Sequence, residues 1–230
     1  MEPFVLKSGI YNLMYECASD PVPEVRQATF YLLAHFAKTY SNSLSSNDAS
    51  FFLPLLVEDL HPVMTALCNN VTCAIGEVAL TSPAYVKPHL FVISAKLVEI
   101  MDTPETSESL RLSTAVAIAY LCYAFPVEMA PMKHNFLTPC SSLLVQLSHR
   151  KVKDFALRAL FNIVHAKPRG LLQDFVDLLG ARIHWLILLD DLTQAMNDLI
   201  HHHKEFYGAG LLLRFCKRLP PTLSQRVANT

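Results

Sequence analysis

Glycine is scarce in this chain, with 6 residues among 230, and structures that depend on it are disfavoured accordingly. A turn-rich β-sandwich needs residues at positive φ, and a nucleotide-binding loop needs backbone that approaches phosphate closely. Charge is sparse as well: 17% of residues are Asp, Glu, Lys or Arg, and the formal net charge is −1. No global field is left to recruit nucleic acid or an anionic membrane surface. Long apolar runs are missing. The longest uncharged apolar stretch, Thr114 to Phe125, has 12 residues, against roughly 20 needed to cross a bilayer. No CxxC pair exists, and Cys17, Cys68, Cys73, Cys122, Cys140 and Cys216 stand inside apolar stretches. They read as free thiols in a reducing compartment and give no zinc site. The opening Met-Glu-Pro-Phe-Val-Leu-Lys has no basic segment leading into an apolar one, so no secretory signal is expected.

What the chain does have is apolar mass, 52% of its residues, arranged at helical spacing. Met64, Cys68, Val71, Ile75 and Val78 step by four and three, as do Val25, Thr29, Leu32 and Phe36. Strand signals, meaning β-branched alternation bounded by Asn-Gly or Asp-Gly turns, are absent. Breakers at Asp20, His61, Thr103, His149 and Asp190 are separated by 41, 42, 46 and 41 residues. Pro54, Pro88, Pro131 and Pro168 are expected at helix starts or just inside them. Two helices per period of about 40–47 residues is the pattern of HEAT-type repeats. The alternative is an ordinary helix bundle with coincidental spacing.

The expected fold is therefore all-α, an α-solenoid of about five HEAT-type helix pairs. First helices are expected near residues 3–18, 50–60, 84–101, 128–147 and 170–188. Second helices are expected near 22–40, 63–81, 105–125, 150–166 and 190–206, with short terminal helices near 209–218 and 221–228. The repeats would run near 1–41, 50–82, 84–125, 127–166 and 168–207, with a cap at 208–230. In the first repeat, Asp20, Val25, Arg26 and Ala28 match the D-x4-V-R-x-A pattern of such units. The Asp can cap the second helix, and the Arg can reach an aspartate of a neighbouring unit.

The stretch Cys68-Asn69-Asn70-Val71-Thr72-Cys73-Ala74-Ile75-Gly76-Glu77-Val78 resembles the C-N-N-x-T-W-A-I-G-E segment of transportins, the karyopherin-β nuclear import receptors. Pro23 to Gln27, Leu97 to Ile100, Pro126 to Met132, Gln173 to Phe175, Trp185 and Asp190 to Leu192 look like further transportin segments in the same order. The part resembled is the C-terminal repeats of a longer solenoid. The resemblance implies a receptor that binds proline-tyrosine-type nuclear localisation signals of cargo proteins on a concave face lined by second helices. It also implies that the GTPase Ran is bound only through N-terminal repeats, which this chain would lack. Location in cytoplasm and nucleus, and a monomeric state, are expected with it.

Carried over by residue, the cargo-binding positions are His35, Thr65, Asn69, Cys73, Ser113 and Val116. Glu77 joins them, because Asn69, Cys73 and Glu77 form a four-residue ladder opposite the Met64–Val78 stripe. The ladder would hold a peptide backbone through Asn69 and meet a basic cargo residue with a carboxylate. Only Asn69 keeps the family's residue among the carried-over positions. Cys73 stands where the family has a large stacking Trp, His35 replaces an acid, Thr65 an isoleucine, Ser113 an Asn and Val116 an isoleucine. The competing reading of this face is a solvated helix surface, and the competing function is a HEAT scaffold that holds folded partners.

Other features read as structural. His201, His202 and His203 point about 100° apart on a helix and cannot converge on one ion. Asp190 and Asp191 read as charges at a helix start, and His184 and Trp185 as packing residues. Arg214, Lys217, Arg218 and Arg226 read as a polar cap. No P-loop, GxGxxG, GxSxG or HExxH is present, so neither an enzyme nor a cofactor or metal site is expected. Phe4, Val5, Ile10, Leu13 and Met14 are expected to leave an apolar patch at the N-terminal end.

Overall fold

The three- and four-residue periodicity becomes helix wherever the structure is defined. The computed structural model describes residues 9–39, 46–144 and 147–149, and single positions between Lys151 and Ile163. The chain divides into two compact units, Met1–Leu160 and Phe161–Thr230, and every helix named below lies in the first. Among the described residues all regular structure is helical. It comprises α1 (Ile10–Ala18), α2 (Pro23–Thr39), α3 (Ser46–Asp59), α4 (Thr65–Thr81), α5 (Pro83–Val86), α6 (Leu90–Asp102), α7 (Glu108–Ala124), α8 (Pro126–Met129) and α9 (Lys133–Leu144). The breakers at Asp20, His61, Thr103 and His149 all fall between helices. The fifth pair and the terminal cap lie outside the described residues.

The expected first helices differ from the observed ones in instructive ways. Of the helix expected at residues 3–18, the part before Gly9 lies outside the described residues; Gly9 has a φ of 67°, which no helix interior accommodates, and α1 starts after it. The helices expected at 84–101 and 128–147 are each split by a 3₁₀ turn, at Lys87–His89 and Ala130–Met132. Pro88 and Pro131 sit in those turns, where a missing N–H breaks the ladder, and Pro83 and Pro126 start the short helices before them. Pro54 corrects the expectation for its series by standing well inside α3. Burial of Phe52, Leu53 and Leu56 around it holds the helix despite the lost hydrogen bond.

Successive helical repeats within the first unit are stacked through named contacts. Arg26 of α2 reaches Asp59 at the end of α3, with Nε donating to Oδ2 at 2.8 Å and Nη2 to Oδ1 at 3.1 Å. The expectation of an Arg bridging to a neighbouring aspartate is thus met. Asp20 accepts from the Val22 N–H at 2.8 Å, closing the turn before α2 and not capping the helix itself. Lys96 Nζ donates to the Val57 carbonyl at 2.6 Å, and Lys87 pairs with Glu128 at 2.8 Å. The second helices α2, α4 and α7 pack side by side far more extensively than the first helices do.

Candidate functional site

Residues three and four apart share a helix face, and the second helices each turn such a stripe away from the core. On α2 it carries Tyr31, His35 and Lys38, and on α4 Thr65, Asn69, Cys73 and Glu77. On α7 it carries Ser113, Val116, Tyr120 and Tyr123. All seven residues expected to bind cargo are thus on the outward side of one layer. His35, Thr65 and Cys73 are exposed, while Asn69, Glu77, Ser113 and Val116 are half-buried. The opposite stripe of α4 is core: Cys68, Val71, Ile75 and Val78 are all closed to solvent.

The polar members differ in how far their hydrogen bonding is already satisfied. Ser113 Oγ donates to the Ser109 carbonyl at 3.1 Å, and Thr65 Oγ1 to the Pro62 carbonyl at 3.5 Å. Both hydroxyls are occupied by their own backbone. Asn70 turns sideways and donates from Nδ2 to the Gln27 carbonyl at 2.9 Å, tying α4 to α2. Asn69 beside it has no such bond, and its buried Oδ1 has no partner among the described residues. An acceptor of this kind is costly unless something donates to it.

Glu77 lies 3.7 Å from Lys38 Nζ, with side-chain exposures of 16% and 66%. Burial raises the Glu77 pKa more than Lys38 lowers it, so the carboxylate is held at some cost. Cys73 opens to solvent on one side, yet burial and the Glu77 charge push its thiol up. Its exposure decides what can reach it, while its raised pKa leaves it a neutral thiol and no activated nucleophile. Cys68, five residues earlier, is buried in the core with its thiol pushed up to about 11.

Three contributors to this face were not legible in the sequence. Lys38 joins it through the ion pair with Glu77. Tyr120 joins it by lying across Gly76: a Cβ placed on that glycine would stand 3.0 Å from Tyr120 Cδ2. A glycine inside a helical pattern signals close approach, and Gly76 offered that clue without naming its partner. Phe155 meets Tyr120 edge-on at 5.2 Å between centroids.

Elsewhere, a cleft of about 340 Å³ between α1 and α3 is lined by Tyr11, Asn12, Tyr15, Glu16, Phe51 and Phe52. Of the apolar residues expected at the N-terminal end, Leu13 is 60% exposed but Met14 is buried. Phe4 and Val5 lie outside the described residues. Among the described residues no His, Cys, Asp or Glu groups are gathered as a metal set. No single helix among them is long and apolar enough to cross a membrane. One bent pair, Glu108–Ala124 with Pro126–Leu137, passes that test by length and composition, but the chain turns by 118° between its halves.

Comparison with known proteins places these features in context. The HEAT repeat family model matches residues 10–40. Transportin-1 of Mus musculus and of Homo sapiens are each 33% identical to the chain over 228 residues, covering 99% of it and 25% of the relative. Transportin of Dictyostelium discoideum is 26% identical over 98% of the chain and 24% of its own length. The chain thus spans about a quarter of the length of the curated relatives it matches. Among solved structures, Kap121p bound to RanGTP superposes on 89% of the chain with a TM-score of 0.63 at 16% identity, over 21% of its own length. The MAST/Orbit N-terminal domain covers 94% of the chain and 93% of itself, with a TM-score of 0.50 at 14% identity. At such identities the two structures speak for the helical solenoid fold alone.

Proposed function

Because the chain belongs to the transportin family of HEAT-repeat receptors, we propose that it is a nuclear transport receptor module that binds nuclear localisation signals of cargo proteins. The binding surface is the outward face of α2, α4 and α7. The observation that carries this reading is the Asn69, Cys73, Glu77 ladder on the outward face of α4, a helix that packs against both α2 and α7. An extended peptide laid across the three helices would hydrogen-bond its backbone to the Asn69 amide and offer a basic side chain to Glu77. The Cys73 and Val116 surfaces would meet its apolar residues. Many shallow contacts along preformed helices then offset the ordering of the peptide. Binding involves no covalent chemistry.

The partner is a cargo protein with a proline-tyrosine-type signal, in cytoplasm and nucleus. Ran is engaged through repeats outside this stretch, and the chain acts as a monomer built of repeats near 1–41, 50–82, 84–125, 127–166 and 168–207 with a cap at 208–230. The test is anisotropy titration of a labelled proline-tyrosine-type signal peptide into the chain, with Asn69→Ala alongside. Saturable binding that Asn69→Ala weakens supports the proposal. Capture of folded domains with no affinity for the peptide overturns it and favours the HEAT scaffold.

A further inference from the structure

Cys73 stands where the resemblance to transportins implies a large stacking Trp, and the face still presents large rings, one helix away. We infer that Tyr120, backed by Phe155 and Tyr123, is the apolar anchor of the peptide site and stands in for the ring that position 73 does not supply. This rests on the reading of the face as a signal-binding surface.

The geometry begins with Gly76. Its missing side chain leaves a slot on α4 that Tyr120 fills from α7, with Tyr120 Cδ2 at 3.0 Å and the Ala117 Cα at 3.5 Å from a Cβ placed there. The ring therefore lies over α4 one turn from Cys73. Phe155 also meets it edge-on, at 5.2 Å and 85°. Tyr123 extends the row, 4.8 Å from Phe155 and tilted at 45°, and is itself 50% exposed. A ring held by both a glycine slot and a second ring loses little freedom when a ligand arrives. Tyr120 is only half-buried, so part of its surface remains open to the groove. Its hydroxyl stays protonated, since burial and the neighbouring Glu77 and Cys73 push its pKa up to about 12. The occupant that fits is an extended, neutral-to-basic peptide with a prolyl or aromatic side chain on the ring. Glu77 at the edge of the groove disfavours an acidic one.

The test uses the full chain and a labelled proline-tyrosine-type signal peptide, with melting curves recorded for every variant. Tyr120→Ala should weaken binding about tenfold or more, while Tyr120→Phe stays within about threefold of wild type. Gly76→Ala, which forces the ring to shift, should weaken binding severalfold. If Tyr120→Ala does not fold, the exposed Tyr123→Ala substitutes, with weakening of about threefold or more expected. Wild-type binding that survives Tyr120→Ala, or Tyr123→Ala in its place, overturns this inference and leaves the binding face standing. No wild-type binding at all overturns both.

Discussion

Arg26→Ala removes a guanidinium that makes four hydrogen bonds. Two go to Asp59 at 2.8 and 3.1 Å, and two to the carbonyls of Asp20 and Pro21 at 2.8 and 3.4 Å. The side-chain exposures of Arg26 and Asp59 are 17% and 15%, between a surface pair and a buried one. Exposed pairs contribute about 0.2–1 kcal/mol, and stripping one partner from a buried pair costs about 3–5 kcal/mol. The turn carbonyls rehydrate after the change and add little. A loss of about 2 kcal/mol is therefore expected, most of it from Asp59 left without its donor. For a chain of this size that is a fall in Tm of about 4–8 °C.

Because Arg26 joins the first helical repeat to the second, the damage should be local. Hydrogen exchange should show α1 and α2 losing protection while the interior of α4 and α7 keeps it. Urea unfolding of Arg26→Ala, Asp59→Ala and the double variant should give a coupling of about 1–2 kcal/mol. Arg26→Ala unfolding within about 0.5 kcal/mol of wild type, with protection of α1 and α2 intact, would refute the reasoning.

Cys73→Trp should tighten binding of a proline-tyrosine-type signal by about 1–2 kcal/mol, a five- to thirtyfold change, since Cys73 is exposed and an indole there projects into the groove. Unchanged affinity and Tm on titration and melting would mark the site as inert. Glu77→Gln tests the opposite balance. The Glu77 pKa is raised in the fold, so its stabilising protonated form is present at low pH and is lost as pH rises from the usual 4.5 through the raised value. At pH 7 Glu77→Gln should therefore melt no lower than wild type, with the difference vanishing in acid, while affinity for a basic peptide falls severalfold. A clear loss of stability at pH 7 counts against it. Ser107→Ala removes the hydroxyl that accepts from the Leu110 N–H at 3.3 Å at the start of α7. It should cost about 1 kcal/mol in urea unfolding, and no change would mean water caps the helix equally well.

Helix identity, the spacing of the breakers over the described residues, and the division of α4 into core and outward stripes were legible in the sequence, whereas on α2 the stripe through Leu32 is off the core, which takes Phe30, Leu33 and Ala37 instead. Each is a one-dimensional pattern, and in a stacked array each unit touches only its neighbours. Arg26 was legible for the same reason, because its partner lies one repeat away. The split first helices were harder to read. Pro88 and Pro131 were visible, but whether a proline breaks a helix or is carried inside it, as Pro54 is, depends on how much burial surrounds it. The pairings across the face were not legible. Asn69 and Asn70 are the same residue type side by side, about 100° apart on the helix. Only the setting of α4 against α2 decides that Asn70 bonds to Gln27 while the Oδ1 of Asn69 finds no donor among the described residues. The same setting brings Lys38 to Glu77, and that of α7 lays Tyr120 across Gly76. Rotation and offset between helices follow from how buried side chains interlock, a property of two surfaces together that neither sequence stripe contains alone.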